Sequence, residues 1–559
     1  MRNALLLLLA STLSACGSER GPQSDEPPAA QQVDSLYING RIWTGSNTTG
    51  DASVMAVTDG HISYVGPASS SKFVSAETID LQGRFVMPGF IDNHVHFLEG
   101  GAALASVDLR GADSPEVFSQ RIIDYATTLP AGRWVLNGNW DHELWGGELP
   151  RRQWIDQETT DTPVFVIRLD GHMALANSAA LKAAGITAAT VAPSGGEIVR
   201  DESGTPTGIL KGNALNLVFS AIPTPSEGEV LEVFELAQSH ALSLGLVQVH
   251  AVTANETETK MLEAFRLAED RGVMKIRAFV STPIEYWEDT RNVVREDGNG
   301  TDLLRWGGVK GFVDGSLGAT TAWFYEPYLD APGTSGGPLT DPVKLTDMLR
   351  RADSAGLQIA IHAIGDRAID DVIADMRDMA GDEIANKRYR IEHFQHPSQS
   401  AIQLAAEYGI VASMQPYHAI DDGRWAEGRI GPDRIKTTYA FRTILDAGVN
   451  LTFGSDWPVA PLSPLDGVYA AVTRRTTDGS KPGGWQPAER ISVEEALIAY
   501  TATNAYANFE EDVAGTLEVG KKADFVVLAE DPRLVDPTTI PQIDVVATVI
   551  DGEVVYRGD

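Results

Sequence analysis

Two histidines one residue apart, His94 and His96, follow the apolar run Phe85–Ile91. In an extended strand, positions i and i+2 project to one face, so both imidazoles can grip one ion. A His-x-His pair alone is a weak signal. Three more apolar runs end in comparable groups: Ile361-His362, Arg390-Ile-Glu392-His393 and Phe453-Gly-Ser-Asp456-Trp-Pro458. A fifth, Val309–Val313, carries Lys310 and is followed by Asp314. Each lone residue has a plain structural account, since a strand-end histidine is usually a hydrogen-bonded core residue and an aspartate before Trp-Pro usually makes a turn. Four histidines and an aspartate at the ends of four such runs are hard to assign to chance. Imidazole combined with carboxylate favours zinc or a similar divalent ion over calcium or magnesium, which prefer all-oxygen shells.

The elements that must position these groups are legible as a pattern. Strand-length apolar runs recur at Phe85–Ile91, Leu246–Val252, Lys275–Val280, Val309–Val313, Gln358–Ala363, Tyr389–His393, Ile410–Met414 and Asn450–Phe453. Helix-like stretches lie between most of them, at Glu258–Arg271, Lys344–Ala355, Arg367–Met379 and Ser398–Tyr408. Ser226-x-x-Glu229 and Ser492-x-x-Glu495 read as capping boxes. Eight strands alternating with helices predict an α/β fold, a (β/α)8 barrel over 88–509, with the chemistry at the C-terminal strand ends. The gap at about 98–225 is too long for a loop and predicts an inserted subdomain, rich in tryptophan (Trp134, Trp140, Trp145, Trp154). The two chain ends, 34–87 and 510–559, are strand-like, each with an Asp-Gly hairpin turn (Asp59-Gly60 and Asp551-Gly552). They predict one small β-sandwich built from both. Gly515 to Lys521 matches most of a phosphate-binding loop, but Lys522 stands where Ser or Thr belongs and a strand follows, so the segment reads as a turn.

The chain has 559 residues and a formal net charge of −33, which argues against nucleic acid as a partner. Cys16 is the only cysteine, which excludes an intrachain disulfide, a Cys-rich zinc module and an iron–sulfur cluster. Arg2 and the apolar Leu5–Ala10 predict a signal peptide over 1–15, too short to span a bilayer. Leu13-Ser-Ala-Cys16 resembles the bacterial lipobox, whose cysteine becomes lipidated, and 16–33 reads as a flexible tether. The expectation is an exported lipoprotein, anchored at the outer membrane and facing the periplasm or the cell exterior. A lipid anchor would be its membrane contact.

With these residues in view the chain resembles the amidohydrolase superfamily, and within it the YtcJ-like branch that includes N-substituted formamide deformylases. The matching motifs are Met87-Pro-Gly-Phe-Ile-Asp-Asn-His94-Val-His96, Val309-Lys310 with Asp314-Gly-Ser-Leu-Gly, His362-Ala-Ile-Gly-Asp366, Arg390-Ile-Glu-His393, Gly454-Ser-Asp456-Trp-Pro and Gly520-Lys-Lys-Ala-Asp524. The resemblance implies that His94 and His96 hold one metal and His362 and His393 a second. It also implies that Lys310, once carboxylated, bridges them; the alternative is a structural Lys310 and one metal. Asp456 would touch a metal and act as general base toward a metal-activated hydroxide that cleaves a non-peptide, amide-type C–N bond of a small molecule. Hydrolysis of an ester, lactone or carbamate is the alternative at the same site, and a non-catalytic surface-binding lipoprotein the alternative to an enzyme. His172, in the segment Asp170-Gly-His172-Met-Ala-Leu-Ala-Asn177, is a further candidate for catalysis. Trp140, Asn177 and Gln415 are candidates for substrate binding, and Gln415-Pro-Tyr-His418 for lining the pocket. Asp314 is placed to orient a ligand. His250 ends the second strand. His396 reads as a surface residue, and His61, His142 and His240 as ordinary ones. A homodimer is the default assembly.

Overall fold

The computed structural model describes residues 31–46, 52–68, 72–169, 171–253 and 260–558. The signal peptide, Cys16 and Asp170 lie outside them. Among the described residues no helix is long and apolar enough to cross a membrane.

Eight parallel strands follow one another in chain order around the barrel: Phe90–Val95, Leu246–Val252, Arg277–Pro283, Leu304–Phe312, Gln358–Ala363, Arg390–His393, Val411–Met414 and Asn450–Phe453. They are apolar on both faces because helices cover the outside and packed side chains fill the inside. The second strand is buried at every position. The outer helix Asp366–Ala380 buries Ala368, Ile369, Val372, Ile373 and Met376, the spacing of one helical face. Last and first strands meet through Asp456 N–H donating to the His94 carbonyl at 2.8 Å and Asn93 Nδ2 donating to Thr452 Oγ1 at 2.5 Å. Asn504 Nδ2 bridges the same seam, donating to the carbonyls of Ile91 (2.5 Å) and Phe453 (2.8 Å). Both expected capping boxes form, at Ser226/Glu229 and Ser492/Glu495.

The run read as one strand over Phe85–Ile91 is two. Phe85–Pro88 pairs antiparallel with Phe525–Leu528 in the small domain, and Phe90–Val95 enters the barrel. Gly89 makes the crossing possible, since a Cβ there would stand 2.2 Å from Val247 Cγ1. The small domain is a sandwich. One sheet runs in the order His61–Gly66, Val54–Thr58, Gln31–Ile38, Phe73–Asp80. The other runs Arg41–Ile42, Phe85–Pro88, Phe525–Leu528, Val545–Ile550, Glu553–Arg557. Tyr37, Met55, Val57, Val86, Phe525 and Val549 are buried between them. Residues 31–33, expected in the tether, belong to a strand, because Gln31, Gln32 and Val33 pair in register with Phe73, Val74 and Ser75. Both Asp-Gly turns adopt left-handed backbone (Asp59 φ +50°, Gly60 +73°; Asp551 +52°, Gly552 +78°), the geometry that suits a two-residue hairpin. Arg277 clasps sandwich to barrel: its guanidinium donates to Asp524 at 2.6 and 3.2 Å and to Asp551 at 2.5 Å. The segment that mimics a phosphate loop is a turn, with Lys521 Nζ bonded to Thr516 Oγ1 at 2.6 Å.

The insert has its own five-stranded sheet, ordered Gly196–Arg200, Pro206–Gly212, Met173–Ala176, Val164–Arg168, Val135–Trp140. Two expected substrate-binding residues are instead its scaffold. Trp140 is fully buried against Phe118, and its Nε1 donates to the Val166 carbonyl at 2.8 Å. Asn177 is also fully buried. Its Oδ1 accepts from Val164 N and Ala180 N, and its Nδ2 donates to Thr159 and Thr162. It therefore caps the helix Ser178–Ala183 and ties it to the sheet.

Candidate metal centre

The first, sixth and eighth barrel strands deliver His94, His96, His393 and Asp456 at or just beyond their C-terminal ends, and these groups converge. His94 is fully buried, and its ring lies 5.7 Å from that of His96 and 4.9 Å from that of His393. Asp456 follows the eighth strand and turns back toward them: its Oδ1 is 3.2 Å from His96 Nε2 and 3.4 Å from His94 Nε2, and its Oδ2 is 3.8 Å from His418 Nε2. Two sets of three residues, His94/His96/Asp456 and His393/His418/Asp456, bring ligand atoms within 4.8 Å of one another. Asp456 is common to both. His393 (φ +73°) and Asp456 (φ +61°) both sit in left-handed backbone, a conformation that side-chain-bearing residues keep where the surroundings force it.

Proton bookkeeping says what the cluster is shaped to hold. Glu392 accepts from Arg390 Nε at 2.9 Å, from Ser413 Oγ at 2.5 Å and from His94 Nδ1. Burial alone would raise its pKa, but Arg390 and His94 hold the carboxyl well below the usual range, so it stays ionised and can only accept. His94 therefore carries its proton on Nδ1, and its Nε2 lone pair faces the Asp456 carboxylate. Two electron-rich atoms 3.4 Å apart repel unless a cation or a further imidazole proton is shared between them. Neither His94 Nε2 nor His418 Nε2, both buried, has a hydrogen-bond partner. His393 Nδ1 lies 2.8 Å from Gln415 Oε1, which fixes the proton there and likewise turns its Nε2 lone pair inward. Histidines around a carboxylate, with His94 and His393 each oriented by an acceptor behind it, are the donor set of a zinc-like ion, and the residues fit one.

The carboxyl of Asp456 would be raised by burial, but the His94 and His96 imidazoles beside it hold it well below its ordinary value. Burial pushes His393 well below the ordinary imidazole range, with the charges of His362 and His94 acting in the same direction. Burial and the Lys310 charge bring His362 down to about 3.

Several sequence expectations change here. His362 stands beside the cluster, 4.5 Å ring to ring from His393, but its Nε2 faces the Gly315 carbonyl at 3.1 Å. The neutral ring spends its N–H there, and the set that forms around His393 draws on His418 instead. Gln415, expected to bind substrate, is fully buried behind His393 and orients it. His172 is exposed in the bend just before the insert strand Met173–Ala176 and belongs to neither set, its carbonyl accepting from Gly212 N at 2.9 Å. Lys310 is buried on the fourth strand with its Nζ 4.7 Å from the Phe312 ring centroid. Asp314 lies 3.7 Å from His362 Nε2 and accepts from the backbone of Trp323, Ile364 and Gly365, tying the loop after the fourth strand to the end of the fifth. His396 is buried, not a surface residue, with Nδ1 2.8 Å from Thr438 Oγ1.

Sequence reasoning gave Glu392 and Asp92 no role. Asp92 is fully buried and accepts from the backbone N–H of His94 (3.0 Å) and of Ser455 (3.0 and 3.1 Å), so it sets the first strand end against the eighth. Burial raises its pKa to about 6. The approach is close enough that a Cβ on Gly454 would stand 2.5 Å from Asn93 Oδ1 and 2.7 Å from Asp92 Oδ1. The available signal was the placement of both acids: each lies on the same strand as a histidine ligand candidate, one or two residues before it.

Known proteins are similar to this chain along nearly its whole length. Protein LONG AFTER FAR-RED 3 of Arabidopsis thaliana is 39% identical over 90% of this chain and 88% of its own length. Putative amidohydrolase YtcJ of Bacillus subtilis is 30% identical over 93% of this chain and 99% of its own. The N-substituted formamide deformylase of Arthrobacter pascens is 29% identical over 94% and 99%. The crystal structure of an uncharacterized metal-dependent hydrolase from Pyrococcus horikoshii superposes with a TM-score of 0.76 at 31% identity, covering 90% of this chain and 99% of that one. The family model for amidohydrolases matches residues 77–556, and the chain belongs to the amidohydrolase family.

Proposed function

We propose that the chain hydrolyses an amide-type, non-peptide C–N bond of a small molecule, an N-acyl or N-formyl amine, at the centre shared by the two ligand sets. The observation that carries this reading is Asp456, one carboxylate with the Nε2 atoms of three imidazoles, His94, His96 and His418, within 3.8 Å of it. Similarity to a protein named as a deformylase of N-substituted formamides supports the bond type. His94, His96 and Asp456 would hold one divalent ion, and His393, His418 and Asp456 would hold another. When bound, a zinc-like ion supplies Lewis acidity, acidifying water to a pKa of about 7 and polarising a carbonyl.

The chain's own part is orientation and proton transfer. Glu392 and Gln415 fix the His94 and His393 tautomers from behind. Asp456 stays ionised, so it can take a proton from the attacking water and return it to the leaving nitrogen.

The test is metal quantification on chelator-free protein, coupled to a screen of N-formyl and N-acyl amines, esters and lactones. Turnover of the amides with at least one divalent ion per chain is the expected result. Turnover of esters or lactones alone replaces the bond assignment, and protein free of divalent metal refutes the centre.

A further inference from the structure

Below the histidine cluster lies another imidazole that neither ligand set uses. His250, on the second strand, is fully buried, and its Nδ1 lies 3.0 Å from Arg390 Nη1. A guanidinium has only donors and keeps its charge in proteins, so His250 Nδ1 accepts and the ring is neutral. Arg390 spends its three arms on three strands. Nη1 goes to His250, Nε to Glu392 Oε1 at 2.9 Å, and Nη2 to the Asn93 carbonyl. The other oxygen of Glu392 holds His94 Nδ1. An unbroken chain therefore runs from His250 through Arg390 and Glu392 to His94, and all four residues are essentially inaccessible to solvent.

We propose that His250 is a positioning residue for the metal centre: its Nδ1 fixes the roll of the Arg390 guanidinium, which sets the Glu392 carboxylate and, through it, the aim of the His94 Nε2 lone pair. The inference rests on the reading of His94 as a metal ligand. A planar guanidinium held at three directions has one orientation; released at Nη1, it tilts about the remaining two bonds and carries the carboxylate with it. Burial first, and the Arg390 charge next, hold His250 well below the ordinary imidazole range, in keeping with an obligate acceptor.

The test uses the full chain loaded with Co2+, whose visible absorption reports ligand geometry. H250L keeps comparable volume without an acceptor. H250N places an amide oxygen where Nδ1 stands, and H250Q places one where Nε2 stands. Wild type binds Co2+. H250L loses about tenfold in affinity with an altered spectrum, one step further from the metal than the 10- to 100-fold typical of a direct second-shell loss. H250N recovers wild-type affinity and spectrum, and H250Q does not. If H250L fails to fold, the H250N and H250Q pair carries the comparison. Wild-type affinity and spectrum in H250L, or equal impairment of H250N and H250Q, overturns the proposal and leaves His250 as packing. Wild type that binds no Co2+ overturns the metal-centre reading itself, a distinct result that removes the proposal with it.

Discussion

Glu392→Gln isolates the electrostatics of the centre with almost no change of shape. Both carboxylate oxygens of Glu392 face donors: Oε1 receives Arg390 Nε–H, and Oε2 receives Ser413 Oγ–H and His94 Nδ1–H. A glutamine amide must turn its NH2 toward one side. Facing His94, it forces the imidazole proton from Nδ1 to Nε2 and extinguishes the lone pair that would bind metal. Facing Arg390, it opposes N–H to N–H and leaves a buried guanidinium with its charge uncompensated. Losing a hydrogen bond to a charged partner costs about 1.5–3 kcal/mol. That range corresponds to roughly 10- to 150-fold in an equilibrium constant, and it brackets the 10- to 100-fold loss in metal affinity typical of such partners. The assay is competition for Zn2+ against a chromophoric chelator, with far-UV circular dichroism and a thermal melt to show that the variant is folded. Folded E392Q that holds Zn2+ as tightly as wild type would refute the tautomer argument, and with it the assignment of His94 Nε2 to the metal.

Asp456→Asn should cut turnover by on the order of a hundredfold or more at pH 7, measured as kcat on the amide found by the screen; a folded, metal-loaded Asn variant with wild-type kcat removes the base assignment. Arg277→Met strands Asp524 in a buried site and should cost about 3–5 kcal/mol, read as a fall in the urea unfolding midpoint. The Arg277→Met/Asp524→Asn double variant should lose less than the sum of the singles. For His396, burial and then the Arg434 charge lower the pKa to about 3. The folded ring is neutral while the unfolded one takes a proton near pH 6.5, so stability is lost as pH falls from 6.5 toward 3, by up to about 1.4 kcal/mol per unit. His396→Asn should flatten that loss, and the wild-type-minus-variant difference in unfolding midpoint between pH 7 and pH 5 measures it. Cys16→Ser should move the expressed protein from the membrane fraction to the soluble one, as seen by fractionation and immunoblot.

The barrel was legible because its strands are buried on both faces and so appear as unbroken apolar runs; Leu246–Val252, Gln358–Ala363 and Asn450–Phe453 match the observed strands residue for residue. Phe85–Ile91 was read as one strand because nothing local distinguishes its two halves; the distinction lies in Val247, which meets Gly89 from another strand. The strand-end candidates His94, His96 and Asp456 were marked by type and position, and the fold brings them together. His418 was legible only as a pocket-lining residue, since it sits in the short helix Pro416–Asp422 after the seventh strand, where no period ties it to the cluster. Glu392 and Gln415 are ordinary in sequence, and their roles arise from which imidazole nitrogen they meet across the barrel. Trp140 and Asn177 misled in the opposite direction: an aromatic and an amide in an insert suggest a pocket, but their hydrogen bonds close within the insert itself.

The sandwich has a consequence for biosynthesis. Tyr37 donates its hydroxyl proton to the Gly552 carbonyl across 515 residues of sequence. At a translation rate of about 5–20 residues per second, the N-terminal half of that domain waits roughly half a minute to two minutes for its other half. Throughout that interval Met55, Val57 and Val86 have no Phe525 or Val549 to cover them. The nascent chain therefore carries an open β surface for most of its synthesis, a surface that only the last residues to be made can close.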